Sequence, residues 1–240
     1  MTGGQILVSA LISHQVDTIY CVPGESYLPV LDALYDAHSI RTVVARHEGA
    51  ASYMAEAHGK LTGKPGICFV TRGPGASHAS VGLHTAREDS TPMILFIGQV
   101  ETQFLGREAF QEIDYSQMFA GIAKAVHQVR KAVDLPVVIQ RAFALAVSGR
   151  PGPVVVELPE DILFSTVEQT LPVSLSADPV IPTLVDVTEI GRALTLAKQP
   201  IVVVGGSRWS SKGLSDLRKF IHRYRLPVVA GFRRQDLFDN

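Results

Sequence analysis

Short apolar runs alternate with helix-like segments from residue 1 to residue 160, and this alternation restricts the possible folds more than any other feature. Residues 67–70, 93–97 and 154–156 read Ile-Cys-Phe-Val, Met-Ile-Leu-Phe-Ile and Val-Val-Val, without a polar residue at alternate positions. That pattern is typical of strands buried on both faces, as in parallel sheets covered by their crossover helices. The sequence therefore predicts an α/β fold: a doubly wound, mostly parallel six-stranded sheet with helices on both faces. Further strands are predicted at 18–22, 41–45 and 123–129, and helices at 4–14, 28–37, 48–61, 77–87 and 135–148.

Two domains are predicted, at 1–168 and 185–240, with a linker at 169–184 between them. The linker contains Pro172, Pro179 and Pro182 and shows little periodicity. Helices at 187–198 and 214–224 then alternate with strands at 201–204 and 226–230. Because two strands and two helices bury little apolar surface, we expect this second, Rossmann-like α/β unit to be incomplete, the truncated start of a larger domain.

The composition excludes several classes of partner. A formal net charge of -1, with 19% charged residues, provides no basic excess, so we expect no nucleic-acid partner. No apolar run reaches the roughly 18 residues of a membrane span, and residues 1–5 lack the features of a signal peptide, so we expect no membrane association. Cys21 and Cys68 lie in apolar runs and are expected to be inert buried thiols; so few cysteines favour the cytoplasm.

Polar and glycine-rich segments follow the predicted strands at one edge of the sheet. In doubly wound sheets, ligands bind beyond the carboxyl ends of the strands. The segments at this edge are Pro23-Gly24-Glu25, His47-Glu48, Thr71 to Gly75, and Gly98-Gln99. The long polar connection 100–122 returns to the same region, and connections of that length are more often functional than idle. The sequence therefore predicts a binding site at this edge.

Glu48 is the carboxylate whose position in the sequence best suits proton exchange with a ligand. An acid at a helix start has an ordinary explanation, because the helix dipole favours negative charge there. However, Glu48 is followed by Gly49, Ala50 and Ala51, so its side chain is expected to be poorly hydrated and open to a flat ligand. Burial and the helix N-terminus shift a carboxyl pKa in opposite directions, which suits proton exchange with a ligand nitrogen.

The Gly73-Pro74-Gly75 turn admits a second interpretation, a dinucleotide-binding fingerprint. His78 stands where the third glycine is required, and Pro74 lacks the N–H that would bind a phosphate. No Gly-Lys-Ser/Thr segment is present, so a P-loop is excluded. The eight histidines show no paired metal spacing, and we expect no metal ligands in this chain.

Eight short motifs occur in order along the chain: Val22-Pro23-Gly24, Arg46-His47-Glu48-Gly49-Ala50, Thr62-Gly63-Lys64-Pro65-Gly66, Gly73-Pro74-Gly75, Asp89-Ser90-Thr91-Pro92, Gly98-Gln99-Val100, Ala109-Phe110-Gln111-Glu112 and Gly149-Arg150-Pro151-Gly152-Pro153. Together they resemble the N-terminal part of the thiamine-diphosphate-dependent enzyme superfamily, of acetolactate synthase and 2-oxo-acid decarboxylase type. They cover its pyrimidine-binding domain, and the segment from Val187 resembles the start of its central domain. The resemblance implies a lyase, carboligase or transferase acting on a small-molecule 2-oxo acid.

The resemblance also implies residue roles. Glu48 matches the glutamate that hydrogen-bonds nitrogen N1′ of the aminopyrimidine and so promotes proton loss from thiazolium carbon C2, after which the thiazolium accepts electrons as carbon dioxide leaves. Gln111 and Phe110 match positions facing the reacting end of the cofactor, with Gln111 catalytic. Cofactor contacts are implied for Pro23, Gly24, Glu48, Thr71, Gly73, Pro74, Gly75 and His78, and substrate contacts for Glu25, Ser26, Arg72, Phe110 and Gln111.

Three positions depart from the synthase pattern. Glu25 stands where synthases carry a second glycine after Pro-Gly, whereas pyruvate decarboxylases carry an acid, so Glu25 either protonates or steers the substrate or is a solvated loop acid. Arg72 replaces a common serine and pairs either with an anionic substrate or with Glu25. His78 replaces a usual asparagine. These departures argue against a strict acetolactate synthase identity.

The resemblance further implies a shared active site. The family binds the diphosphate through Mg²⁺ held by a later Gly-Asp-Gly…Asn motif, which this sequence lacks, so we expect Mg²⁺ to be held by a domain absent from this chain and the isolated chain to be inactive. FAD is compatible with some relatives but unsupported here. Since the pyrimidine domain of one subunit faces the diphosphate domain of another, a homodimer or homotetramer through the first domain is implied. A non-catalytic regulatory or pairing module and a nucleotide-binding oxidoreductase remain the alternatives.

Overall fold

The computed structural model describes residues 1–168 and 182–238, which fall into two compact units, Met1–Ala177 and Asp178–Asn240. Most of the predicted linker lies outside the described residues. The strands of the first unit are β1 (Thr18–Cys21), β2 (Arg41–Val44), β3 (Gly66–Val70), β4 (Met93–Gln99), β5 (Ala125–Gln128) and β6 (Pro153–Pro159). Its helices are α1 (Gly3–Ser13), α2 (Leu28–Tyr35), α3 (Glu48–Thr62), α4 (Pro74–Asp89), α5 (Tyr115–Met118), α6 (Leu135–Val147) and α7 (Glu160–Phe164).

The six strands of the first unit form one parallel sheet in the order β2-β1-β3-β4-β6-β5. This confirms the predicted doubly wound α/β fold. The central strands β3, β4 and β6 are buried at every residue, whereas the edge strand β2 is largely exposed. The chain passes from β1 to β2 on one side and from β3 to β4 on the other, so the carboxyl ends of β1 and β3 flank a topological switch point, where such sheets bind ligands.

Two apolar cores cover the two faces of the sheet. Ile67 and Phe69 of β3 belong to the core built with α1, α2, α6 and α7, and Cys68 and Val70 belong to the core beneath α3 and α4. This alternation follows from the two-residue period of a strand. Cys21 and Cys68 are free, buried thiols, as predicted, and burial raises the pKa of Cys21 to about 11.

Local sequence signals set the helix ends. Thr2 and Gln5 form a capping box at the start of α1, which satisfies two backbone N–H groups. Gly63 ends α3 in the left-handed region, with φ of 71°, where glycine is unstrained. The helix α4 begins at Pro74, three residues earlier than predicted, because proline suits the first turn of a helix. The helices α5 and α7 were not predicted, since four and five residues are too few to show a period.

The second unit contains α8 (Leu184–Leu196), β7 (Val202–Val204), α9 (Ser211–Tyr224) and β8 (Val228–Ala230). The two strands pair in parallel, as a strand–helix–strand unit requires. Thr183, assigned to the linker, caps α8 through a capping box with Asp186, so the helix starts at the last linker position. Within 1–168 and 182–238, no helix is both long enough and apolar enough to cross a lipid bilayer.

Candidate functional site

The connections after β1 and β3 lie against each other at the switch point. The Ser26 and Thr71 hydroxyl oxygens are 2.8 Å apart and share a hydrogen bond. A Cβ at Gly24 would lie 2.6 Å from the Thr71 Cβ, so only glycine fits at this close approach. The predicted convergence of these two segments at one sheet edge is therefore present in the structure.

Glu48 is the first residue of α3, and its side chain is only 14% exposed. Its Oε2 lies 2.9 Å from the His78 Nδ1 on α4. A Cβ built at Gly75 would lie 3.6 Å from its Oε1, so the missing side chain of Gly75 leaves space beside this oxygen. The carboxylate is thus held at one oxygen and open at the other, and the N-terminus of α3 favours its negative charge.

Two imidazoles flank this carboxylate. His47 caps α3, since its Nδ1 accepts a hydrogen bond from the Gly49 N–H at 3.0 Å. The His47 and His78 rings stack, with centroids 4.8 Å apart and an interplanar angle of 23°. One potential metal-ligand atom from each of His47, Glu48 and His78 lies within 4.8 Å of the others. Sequence spacing did not indicate this group, because His47 precedes α3 whereas His78 lies on α4. The expectation that this chain provides no metal ligand stays a prediction.

The Gly73 turn is fixed by residues from a distant segment. Gly73 has φ of 42°, and a Cβ there would lie 2.7 Å from the Gln111 carbonyl oxygen, so glycine is required on both grounds. The Gly73 N–H donates to the Tyr115 hydroxyl at 2.9 Å. Burial raises the pKa of Tyr115, so its hydroxyl stays protonated. Because this N–H is already bonded and Pro74 has none, the turn does not offer the donors that a phosphate-binding fingerprint needs.

Arg72 forms a second group of contacts at the same edge. Its Nη2 donates to the Glu25 Oε1 at 2.7 Å, and its Nη1 lies 3.7 Å from the Glu160 Oε2. The guanidinium also lies 6.0 Å from the centroid of the Phe110 ring. The sequence left two partners open for Arg72, an anionic substrate or Glu25. Within the chain, Arg72 pairs with Glu25. Burial raises the pKa of Glu160, and the charge of Arg72 offsets part of this rise.

The predicted reacting-end residues lie in the irregular segment between β4 and α5. Gln111 has φ of 62°, in the left-handed region that non-glycine residues rarely adopt. Glu112 accepts hydrogen bonds from the N–H groups of Gly106 and Ala109, which lower its pKa. This carboxylate organises the segment and leaves Phe110 72% exposed at its tip.

The predicted site residues therefore fall into two groups joined by the Gly73 turn. The first, the helix-start group, comprises Glu48, Gly75 and His78. The second, the loop group, comprises Glu25, Arg72, Phe110 and Gln111. Gly24, Ser26 and Thr71 pack between the β1 and β3 connections, Pro74 begins α4, and Pro23 is exposed beside Gly24.

Sequence reasoning missed three residues of the site: Tyr115, Glu160 and His47 as a stacking partner. Tyr115 follows the Phe110-Gln111-Glu112 motif closely, so its position in a long polar connection was the available signal. Glu160 follows β6 directly, and the rule that sites form beyond carboxyl ends of strands could have found it.

Comparison with known proteins decides the family. Residues 1–118 match the model described as thiamine pyrophosphate enzyme, N-terminal TPP binding domain. This chain belongs to the thiamine-pyrophosphate-dependent enzyme superfamily. The family resemblance drawn from the eight motifs is confirmed, and the matched residues contain both Glu48 and the Gly73 turn.

Similar proteins include three acetolactate synthases. The acetolactate synthase large subunit of Parasynechococcus marenigrum (strain WH8102) is 38% identical over 251 residues, covering 100% of this chain and 40% of the relative. The acetolactate synthase isozyme 3 large subunit of Escherichia coli (strain K12) is 37% identical, covering 95% and 41%. The mitochondrial acetolactate synthase of Schizosaccharomyces pombe is 36% identical, covering 95% and 36%. The chain thus spans about 40% of the length of such superfamily relatives.

Proposed function

We propose that this chain provides the pyrimidine-binding side of a thiamine-diphosphate site in a lyase or carboligase that acts on 2-oxo acids, as the names of its synthase relatives suggest. The observation that carries the proposal is the Glu48 carboxylate, 14% exposed and bordered by the bare backbone of Gly75. A flat heterocycle fits such a place because its edge can reach Oε1 where a side chain would otherwise stand. The family match covers this same region.

The residues of the helix-start group suit the pyrimidine end of the cofactor. Glu48 would hold a proton between its Oε1 and the ring nitrogen, while His78 holds Oε2 and so fixes the carboxylate plane. Gly75 and Gly73 would let the ring approach the backbone closely. When bound, thiamine diphosphate supplies a nucleophilic carbon and an electron sink for decarboxylation. The protein contributes orientation and a proton-exchange partner near the ring.

The loop group suits the substrate end. Glu25 and Gln111 lie on connections that adjoin the Gly73 turn, where they would orient or protonate a bound 2-oxo acid. Phe110, exposed at the tip of its segment, would cover the substrate and exclude water. We further propose that Mg²⁺ and the diphosphate are held by residues other than those of this chain, and that a second subunit supplies them in a homodimer or homotetramer.

The test is Glu48→Gln in the natural full-length protein. We expect thiamine-diphosphate-dependent turnover of a 2-oxo acid to fall by about 10²–10⁴-fold, because the amide cannot exchange the proton. Isothermal titration should show cofactor affinity changed far less than turnover, and circular dichroism should show an intact fold. The matched control is Glu88→Gln, which removes an exposed acid from α4 and should leave turnover unchanged. Wild-type turnover in the Glu48 variant would refute the assigned role, and absence of turnover in the wild type would favour a non-catalytic module.

A further inference from the structure

The guanidinium of Arg72 is buried and lacks hydrogen-bond partners for two of its nitrogens. The side chain is 9% exposed, and within the part of the chain that the structure describes, Nε and Nη1 make no hydrogen bond. Glu160 is too far from Nη1, at 3.7 Å, to accept one. Buried hydrogen-bond donors nearly always have a partner. Two donors without one on the same guanidinium therefore point to a group that binds there during function.

Among the described residues, the guanidinium of Arg72 has one hydrogen-bond partner, Glu25, which its own surroundings hold loosely. Glu25 is 65% exposed, so water can solvate it when a ligand carboxylate takes its place, and the buried Arg72 then keeps an anionic partner. A carboxylate that replaces it can bind the guanidinium through two parallel N–H bonds, using Nε together with Nη2. Exchange of Glu25 for a bidentate ligand would therefore satisfy a donor that is unpaired in the resting site.

We propose that Arg72 binds an anionic group at the far end of the substrate side chain, so that the preferred substrate is a 2-oxo acid with a second, distal anion. This inference rests on the proposed function, because it assigns the loop group to the substrate end of the site. Phe110 lies over the guanidinium at 6.0 Å and belongs to an irregular segment, so it is placed to cover the bound side chain.

The carboxylate that leaves as carbon dioxide is a poor candidate for this contact. A bidentate ion pair with that carboxylate would stabilise the ground state and would be lost in the transition state, which slows the reaction. A distal anion keeps its ion pair throughout, so its binding energy orients the substrate without opposing decarboxylation.

The test compares matched substrates in the full-length protein with its cofactor. 2-Oxoglutarate carries a distal carboxylate, and 5-methyl-2-oxohexanoate has nearly the same shape with a neutral isopropyl group in its place. We expect the wild type to favour 2-oxoglutarate at least tenfold in kcat/KM. Arg72→Gln should reduce this preference at least tenfold. Arg72→Lys should keep part of the preference, because lysine has the positive charge but not the two parallel N–H donors of the guanidinium. Arg107→Gln, which removes an exposed cation from the segment that carries Phe110, should keep the wild-type preference.

The outcomes separate this inference from the proposed function. Turnover of both compounds at equal kcat/KM in the wild type, or an equal loss for both in Arg72→Gln, would overturn the inference and leave the proposed function standing. 3-Phosphonopyruvate shows whether the site also accepts a phosphonate: a fall of its kcat/KM in Arg72→Gln parallel to that of 2-oxoglutarate supports the assignment. If no 2-oxo acid turns over, nuclear magnetic resonance titration of this chain decides: 2-oxoglutarate should bind at least tenfold more tightly to the wild type than to Arg72→Gln, and equal or absent binding would overturn the inference.

Discussion

Replacement of Gly82 by alanine tests how closely α3 and α4 must pack to form the site. A Cβ at Gly82 would lie 2.4 Å from the Ser52 Oγ, 2.6 Å from its Cβ and 2.7 Å from its backbone carbon. Ser52 is buried, and its hydroxyl donates to the Gly49 carbonyl at 3.0 Å, so its side chain cannot turn away freely. The helices must therefore separate locally by about 1 Å to reach ordinary contact distances.

Two effects of opposite sign decide the stability of Gly82→Ala. Alanine is favoured over glycine inside a helix by about 1 kcal/mol. Overpacking of a close contact costs about 1–3 kcal/mol, and separation of the helices also weakens the dispersion contacts of the neighbouring small residues. We expect a net loss of about 1–2 kcal/mol, which corresponds to a fall of roughly 2–8 °C in the Tm of a domain of this size.

Denaturant unfolding followed by circular dichroism measures this loss. Tryptophan fluorescence provides a separate signal from the second unit, because Trp209, the only tryptophan in the sequence, lies there. The control is Gly191→Ala in α8, where no atom lies within 4 Å of an added Cβ, so only the helix-propensity gain should appear. If Gly82→Ala proved as stabilising as Gly191→Ala, the claim that bare backbone at Gly82 sets the helix spacing would be wrong.

Two further predictions concern buried or capped polar groups. Burial raises the pKa of Glu157 above 4.5, so the folded chain keeps this proton where the unfolded chain has lost it, and stability should fall as pH rises above about 4.5. Glu157→Gln should remove this loss of stability. The Tm of the variant minus that of the wild type should therefore increase between pH 4.5 and pH 8, and a Tm difference independent of pH would contradict the prediction. Lys124 donates to the carbonyl oxygens of Leu145, Ser148 and Arg150 at the end of α6. Lys124→Met should destabilise the chain by about 1 kcal/mol and Lys124→Arg by less, measured by urea unfolding, and equal stability of all three would show that water replaces this cap.

The fold was predictable because the burial of each strand and helix determines the spacing of its apolar residues in the sequence. Strands such as β4, buried at all seven residues, have no polar face to alternate, and that pattern specifies a covered parallel sheet. The spatial order of β5 and β6 was not predictable, because the connections that precede these two strands allow either arrangement. Helix α4 begins at Pro74, and hydrophobic periodicity does not reveal the preference of proline for the first turn of a helix.

The candidate site was predictable only in part, for a different reason. The edge of the sheet follows from topology, so Glu48 and the Gly73 turn could be placed near each other from sequence. The contacts of Tyr115 with Gly73 and of Glu160 with Arg72 join residues 42 and 88 positions apart in the numbering. Such contacts depend on how irregular segments cross the edge, and no local propensity encodes that.

The two groups of site residues differ in what holds them, and this difference predicts how they respond to change. Glu48 and His78 stand on α3 and α4, whose small facing residues pack closely, so their separation is fixed by the core. Glu25 and Phe110 stand on connections outside the long helices, where both contact Arg72, and Glu112 organises the segment that carries Phe110 and Gln111. Substitutions between the helices should therefore alter cofactor binding and stability together. Substitutions around Arg72 should change which substrate is accepted while the folded core remains intact.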